Sequence, residues 1–161
     1  MFHQGASGIG LLTAGFGIGA GLGVLVLARV NQRMERGRVV QTGLALYGLL
    51  VLLLGSARTL PMMFVIMIPF GTVYLMIIAT CNTTLQMTTT EAMRGRVLAF
   101  YFIAFGVFYP LGAQLQSFVA DAIGLRTTIA IFGASLTVLA WVWRRGDRVA
   151  LAMRAEPRTV S

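Results

Sequence analysis

Between Arg38 and Arg58 the chain reads VVQTGLALYGLLVLLLGSA (Val39–Ala57), nineteen residues without a charge. A helix rises about 1.5 Å per residue, so this stretch would extend over about 28 Å, close to the roughly 30 Å hydrocarbon thickness of a bilayer. It does not alternate with the period of a half-buried strand. A run this apolar fits inside a soluble protein only if that protein is far larger than the 161 residues present.

Reading outward, four further runs have the same character. Ile9–Ala28 precedes it, and Pro61–Thr80, Val97–Ala120 and Thr127–Trp143 follow. A charge at the centre of a span costs roughly 2.5–3.5 kcal/mol, and every charged residue here stands between or at the edges of the five runs. The sequence therefore predicts an all-α membrane protein with five transmembrane helices within residues 1–146. Residues 147–161 are expected to form a cytoplasmic tail without fixed structure.

Composition agrees. The apolar set makes up 57% of the chain and charged residues only 11%, against about 45–50% and about 25% in soluble domains. Five acids, thirteen arginines and no lysine cannot furnish a polar shell, so lipid must do so. A formal charge of +8 raises nucleic-acid binding as a possibility. Position excludes it: eleven of the thirteen arginines cluster at Arg29–Arg38, Arg94–Arg96 and Arg144–Arg158, where membrane-flanking charges belong.

Because successive loops alternate sides, those three clusters share one face of the membrane, and only Arg58 and Arg126 lie on the other. The asymmetry predicts a cytoplasmic C-terminus and, with five spans, an external N-terminus. Trp141 and Trp143 beside Arg144 and Arg145 match an interfacial aromatic belt. Cys81 is the only cysteine, so it reads as apolar filler. The first apolar run lacks a basic leader and a cleavage site and is expected to remain in the mature chain.

The spans differ in kind. Gly15, Gly19 and Gly23 form a GxxxGxxxG row in the first, with Gly17 and Gly21 as a second pair, and small residues at that spacing let helix backbones approach closely. The second and fifth spans are nearly featureless aliphatic helices and read as lipid-facing. The third and fourth hold Tyr74, Asn82, Gln86, Tyr101, Tyr109, Gln114, Gln116 and Ser117, polar groups that need partners or water in a bilayer, so these two helices are expected to face an interior. Tyr101, Phe105, Tyr109, Gly112 and Gln116 fall on one stripe of the fourth helix. That stripe could line a substrate path or serve ordinary interhelical packing. Pro69 and Pro110 remove a backbone donor mid-helix and are expected to kink their spans. Asp121, near the outer face, reads as a wet helix end paired with Arg126 or capping the turn at Gly124, with a proton-carrying carboxylate as the other reading, and Glu91 reads as part of a capping box with Thr88 or an ion pair with Arg94.

The segment from Asn82 to Gly124, with Asn82, Gln86, Glu91, Arg94, Gly95, Arg96, Val97, Pro110, Gly112, Asp121 and Gly124, resembles helices ten and eleven of bacterial exporters of the major facilitator superfamily. Within that superfamily it looks most like the branch of enterobactin-type siderophore exporters and related drug efflux proteins. The loop LARVNQRMERGR resembles the basic loop between helices eight and nine, with Arg33 and Arg36 matching its arginines. Ala28, Gln32 and Glu35 stand where that pattern has glycine, aspartate and glycine, so the aspartate's role has no counterpart here.

The resemblance implies that the five spans are helices eight to twelve of a twelve-helix transporter, a partial C-terminal half-bundle. It implies a small-molecule solute, protons as the coupling ion, and a bacterial inner-membrane location. Two rocking halves are needed for alternating access in this fold. Helices one to seven would then come from a longer chain or a partner subunit. The competing reading is a small non-transporting membrane subunit that packs against a partner through the Gly15, Gly19, Gly23 face. An enzyme is not expected: there is no HExxH, no paired carboxylates within a span and no phosphate loop, and His3 has no companions. Neither a cofactor nor a metal is expected.

Overall fold

The computed structural model describes residues 6–30 and 34–155, giving the backbone alone for residue 6 and residues 147–155. Five helices follow in chain order: α1 (Ala6–Val30), α2 (Arg36–Ser56), α3 (Leu60–Thr88), α4 (Glu91–Ile123) and α5 (Leu125–Ala155). Each contains one of the five runs read from the sequence, and all five are long and apolar enough to cross a membrane. Among the described residues there is no strand.

α3 and α4 run past the lipid-length segments and meet at a sharp turn. Thr89 and Thr90 are extended there, so the two helices stop and restart within two residues. The hydroxyls of Thr84, Thr88 and Thr89 donate to the carbonyls of Thr80, Thr84 and Leu85 one turn earlier, satisfying themselves within α3. Thr88 is thus engaged with α3 rather than in a capping box, Thr90 makes no side-chain cap bond, and Glu91 forms no ion pair with Arg94 among the described residues. Glu91 in the first turn of α4 instead faces the positive end of the helix dipole. α5 continues as helix through Ala155, into the segment expected to be an unstructured tail. Ala, Leu, Met and Arg dominate RRGDRVALAMRA and are the strongest helix formers, so nothing local stops the helix.

The packing order is α1 on α3, α3 on α2, and α2 on α5, with α4 lying against α5 and touching α3 slightly. Glycines set this order. Gly15, Gly19 and Gly23 are buried and face α3. A Cβ on Gly15 would stand 3.0 Å from Phe64 Cδ2, one on Gly23 2.9 Å from the Thr72 carbonyl oxygen, and one on Gly19 would fall onto the Ile68 carbonyl. Gly71 returns the contact, with the Phe16 carbonyl where its own Cβ would be. The backbones are close enough for Thr72 Oγ1 to donate across to the Gly19 carbonyl at 2.8 Å, while also lying 3.0 Å from the Ile68 carbonyl of its own helix.

The expectation that α2 and α5 simply face lipid needs correction. Gly48 and Gly55 of α2, two turns apart on one face, receive α5: a Cβ on Gly48 would stand 2.9 Å from Thr137 N, and one on Gly55 2.9 Å from Ile129 Cγ2. Gly133 of α5 meets Leu52 in the same way. Val39, Gln41, Gly48 and Leu50 are the buried positions of α2.

α4 shows the opposite departure. No described residue of it is buried, although its polar side chains led to the expectation of an interior helix. Among the described residues it packs mainly on α5 and slightly on α3, so most of its surface stays uncovered. The turn into α5 is made by Gly124 at φ 87°, a conformation in which a side chain would be strained. The Gly124 N–H donates to the Ala120 carbonyl at 2.9 Å, and Thr128 Oγ1 donates to the Gly124 carbonyl at 3.0 Å. Among the described residues Asp121 forms no ion pair with Arg126. α3 and α4 both continue as helix through Pro69 and Pro110.

Candidate functional site

The chain has four tyrosines, carried by three of the helices. Tyr47 comes from the middle of α2, Tyr74 from the middle of α3, and Tyr101 and Tyr109 from α4. Tyr47 and Tyr74 lie across the α2–α3 seam with ring centroids 6.3 Å apart. Tyr74, Tyr101 and Tyr109 were candidates from the sequence. Tyr47 was not, because it stands in the aliphatic run that read as lipid-facing. Its one visible signal was being the sole phenol in that run.

Two aromatic arrays hold these rings. Between the first three helices, Tyr47 stacks on Phe70 with centroids 4.6 Å apart, and Phe16 of α1 lies 5.4 Å from Tyr74. Along α4, Tyr101, Phe105 and Tyr109 form a ladder, stacked at 6.4 and 5.7 Å with interplanar angles of 26° and 21°. Residues four apart on a helix lie above one another, so the ladder follows directly from the 101, 105, 109 spacing. Its upper ring is open: Tyr109 is 64% exposed within the chain.

The remaining candidates do not join this group equally. Asn82 is one turn before Gln86 on α3, and Gln86 Nε2 donates to Asn82 Oδ1 at 2.7 Å, so each amide keeps further hydrogen-bonding capacity. Gln116 continues the stripe above Tyr109 and Gly112. Gln114 does not: it stands about half a turn away, on the side of α4 that carries Phe100, Ile103, Val107 and Phe118. Those four side chains are all at least 50% exposed and wholly apolar. α4 thus has a hydroxyl-bearing aromatic face and an apolar face. Arg94 and Arg96 are exposed at the start of α4, Arg36 is half-buried at the start of α2, and Arg33 lies outside the described residues.

No charged residue stands among the tyrosines. Glu35, Glu91 and Asp121 lie at helix ends, and the arginines lie near helix ends or, as with Arg144, Arg145 and Arg148 in α5, beyond the fifth apolar run. The surface can therefore stack flat apolar groups and exchange hydrogen bonds through phenols and amides, while offering no fixed charge.

Five lipid-length helices drawn together by glycine contacts, with polar aromatic side chains near mid-depth and arginines at one end of the bundle, are the features a membrane transporter needs. No curated relative and no solved structure matches the chain significantly. A family model does, that of the Major Facilitator Superfamily, over residues 1–159. The chain is accordingly a member of the Major Facilitator Superfamily, a family of transporters.

Proposed function

We propose that this chain is the five-helix C-terminal portion of a secondary transporter, helices eight to twelve of twelve, that exports a small amphipathic solute across a bacterial inner membrane. The observation that carries the reading is the open ladder of Tyr101, Phe105 and Tyr109 along α4, an aromatic surface with no charge among its rings on a helix that has no buried residue. Such a surface suits a solute with a flat apolar body and a few hydrogen-bonding groups, because the rings take the body and the phenols take the groups. The arginine asymmetry supports a cytoplasmic C-terminus and an external N-terminus for this segment.

The other half of the machine comes from helices one to seven of a longer chain or from a partner subunit, since rocking needs two bundles around a midplane site. If protons drive the cycle, the proton-carrying carboxylate belongs to that other half, because Glu35, Glu91 and Asp121 stand at helix ends and Asp147 follows the fifth apolar run. The test is solute efflux from inverted vesicles containing the transporter as the cell makes it, comparing the native protein with a Tyr109→Ala, Gln116→Ala variant. Efflux reduced tenfold or more is expected, and unchanged efflux would remove the stripe as the path.

The alternative of a non-transporting subunit loses its main support. The Gly15, Gly19, Gly23 face that would dock a partner is already filled by α3. Recovering the product of the native locus separates the two: further spans attached to this segment fit the transporter, and a product of this chain's own mass fits the subunit.

A further inference from the structure

The end of the α2–α5 pair that carries the arginines has a feature transport does not use. The glycine contacts fix how the two helices align. Gly48 meets Gly133 and Thr137, and Gly55 meets Ile129, so the helices are antiparallel. Ten residues back along α2 from Gly48 stands Arg38, and ten residues forward along α5 from Ser135, midway between the two partners of Gly48, stands Arg145. Equal rise per residue puts Arg38 and Arg145 at the same depth, with Arg36 and Arg144 within a turn of them. α5 is still packed just inside this level, since Ala140 is 1% exposed.

This end is densely positive. Segments 35–38 and 144–148 contain five arginines and two acids. One acid, Glu35, lies 3.5 Å from Arg38 Nε in an ion pair whose side chains are 68% and 81% exposed. A pair that open is screened by water and neutralises little. Arg36 and Arg144 have no ion-pair partner among the described residues. Arg145 is held differently: its guanidinium lies 3.6 Å from the centroid of the Trp141 ring. That contact uses the face of the guanidinium, whose hydrogen-bond donors point outward in its plane and remain free for oxygen acceptors. Trp141 and Trp143 are interfacial residues, so the cluster stands at the level of lipid headgroups.

We infer that the Arg38, Arg144 and Arg145 cluster, with Trp141 beneath it, is a binding site for the phosphate headgroup of an anionic phospholipid. Like charges set at one level of two packed helices by the glycine contacts are relieved by a phosphate bound between them, and planar guanidiniums fit its oxygens in pairs. The site lies at the outer edge of α2 and α5, away from the tyrosine surface, and does not depend on what the transporter carries. A basic residue near an anionic leaflet strengthens binding by about fivefold, so removing Arg144 and Arg145 together should weaken it by about thirtyfold.

Both tryptophans of the chain are at this end, so intrinsic fluorescence reports on the site. The full protein in detergent micelles is titrated with phospholipids brominated in the acyl chain, bearing either a phosphatidylglycerol or a phosphatidylcholine headgroup. Phosphatidylglycerol is expected to quench at lower concentration than phosphatidylcholine. The preference should fall by about thirtyfold in an Arg144→Gln, Arg145→Gln variant and persist in Arg58→Gln, which alters the opposite end. Should the double variant fail to fold, Arg38→Gln takes its place, with about a fivefold fall expected. Equal quenching by the two headgroups, or a preference that survives the substitutions, would overturn the proposal. So would full competition by soluble glycerol phosphate at the same concentration, which would mark a site for free anions rather than lipid.

Discussion

Replacing Gly19 by alanine tests the packing on which the rest of the fold depends. The added methyl lands on the Ile68 carbonyl, a backbone group that cannot rotate away, so α1 and α3 must separate until it clears. Overpacking of this kind costs about 1–3 kcal/mol. Separation also stretches the Thr72 hydroxyl's 2.8 Å bond to the Gly19 carbonyl, worth about 0.6 kcal/mol between helices in a membrane. It loosens the contacts at Gly15 and Gly23 as well, a turn to either side. The expected loss is therefore about 2–4 kcal/mol. Gly17 is the control, because a Cβ there meets nothing within 4 Å. Gly17→Ala should be neutral or raise stability by about 0.5–1 kcal/mol, since alanine orders the helix at less entropic cost. Gly15→Ala meets a phenylalanine ring that can shift, and should fall between the two. Unfolding in a denaturing-detergent titration, followed by tryptophan fluorescence, gives the ranking Gly17, Gly15, Gly19 from least to most harmful. Equal stability of the Gly17 and Gly19 variants would refute the packing argument.

Other substitutions probe other levels of the account. Thr72→Val keeps shape and removes the hydroxyl that donates to Gly19 and lies beside the Ile68 carbonyl of its own helix, so it should cost about 0.6–1.7 kcal/mol in the same titration, short of Gly19→Ala. Gly48→Ala should cost about 1–3 kcal/mol by forcing α5 away at Thr137, although the span reads as bland in sequence. Gly124→Ala places a side chain at φ 87° and should lower stability by about 1 kcal/mol without affecting either helix interface. Tyr109→Phe should keep most solute affinity if stacking dominates, whereas Tyr109→Ala should lose about 0.5–1.5 kcal/mol, measured as the concentration for half-maximal transport.

Much of the fold was legible because lipid imposes a length and a charge rule that read directly from residue order. The run between Arg38 and Arg58 could hardly be anything but a span, and its four companions follow by the same rule. The GxxxGxxxG row announced a close contact because three glycines repeat one per turn, although nothing in the sequence identified α3 as what it touches. The Gly48, Gly55 and Gly133 contact has no such signature in the sequence. Glycines two turns apart in an aliphatic run form no familiar motif, and their meaning depends on which helix lies opposite.

The site divided along the same line. The ladder of Tyr101, Phe105 and Tyr109 was readable because its members share one helix. Tyr47 could not be found, since its place beside Tyr74 comes from the α2–α3 packing. Gln114 and Gln116 looked alike as amides, but their two-residue separation puts them on opposite sides of α4. The polarity of α4 indicated a need for partners that α3 and α5 do not meet. Glu91 and Asp121 had plausible local partners by spacing, yet their neighbours bond elsewhere: Thr88 to its own helix, and the α4–α5 turn through Gly124.

The most direct test of the account concerns the two faces of α4. In a Cys81→Ser background, single cysteines are placed at Tyr109 and at Val107, which differ by only about 3 Å in depth but point nearly opposite ways. The full transporter in native membranes is then exposed to a polar, water-soluble thiol reagent. If the tyrosine face borders an aqueous solute path and the other face lies in lipid, the cysteine at 109 is modified and the one at 107 is not. Equal modification of both, or modification at 107 alone, would contradict the assignment of that face to the path.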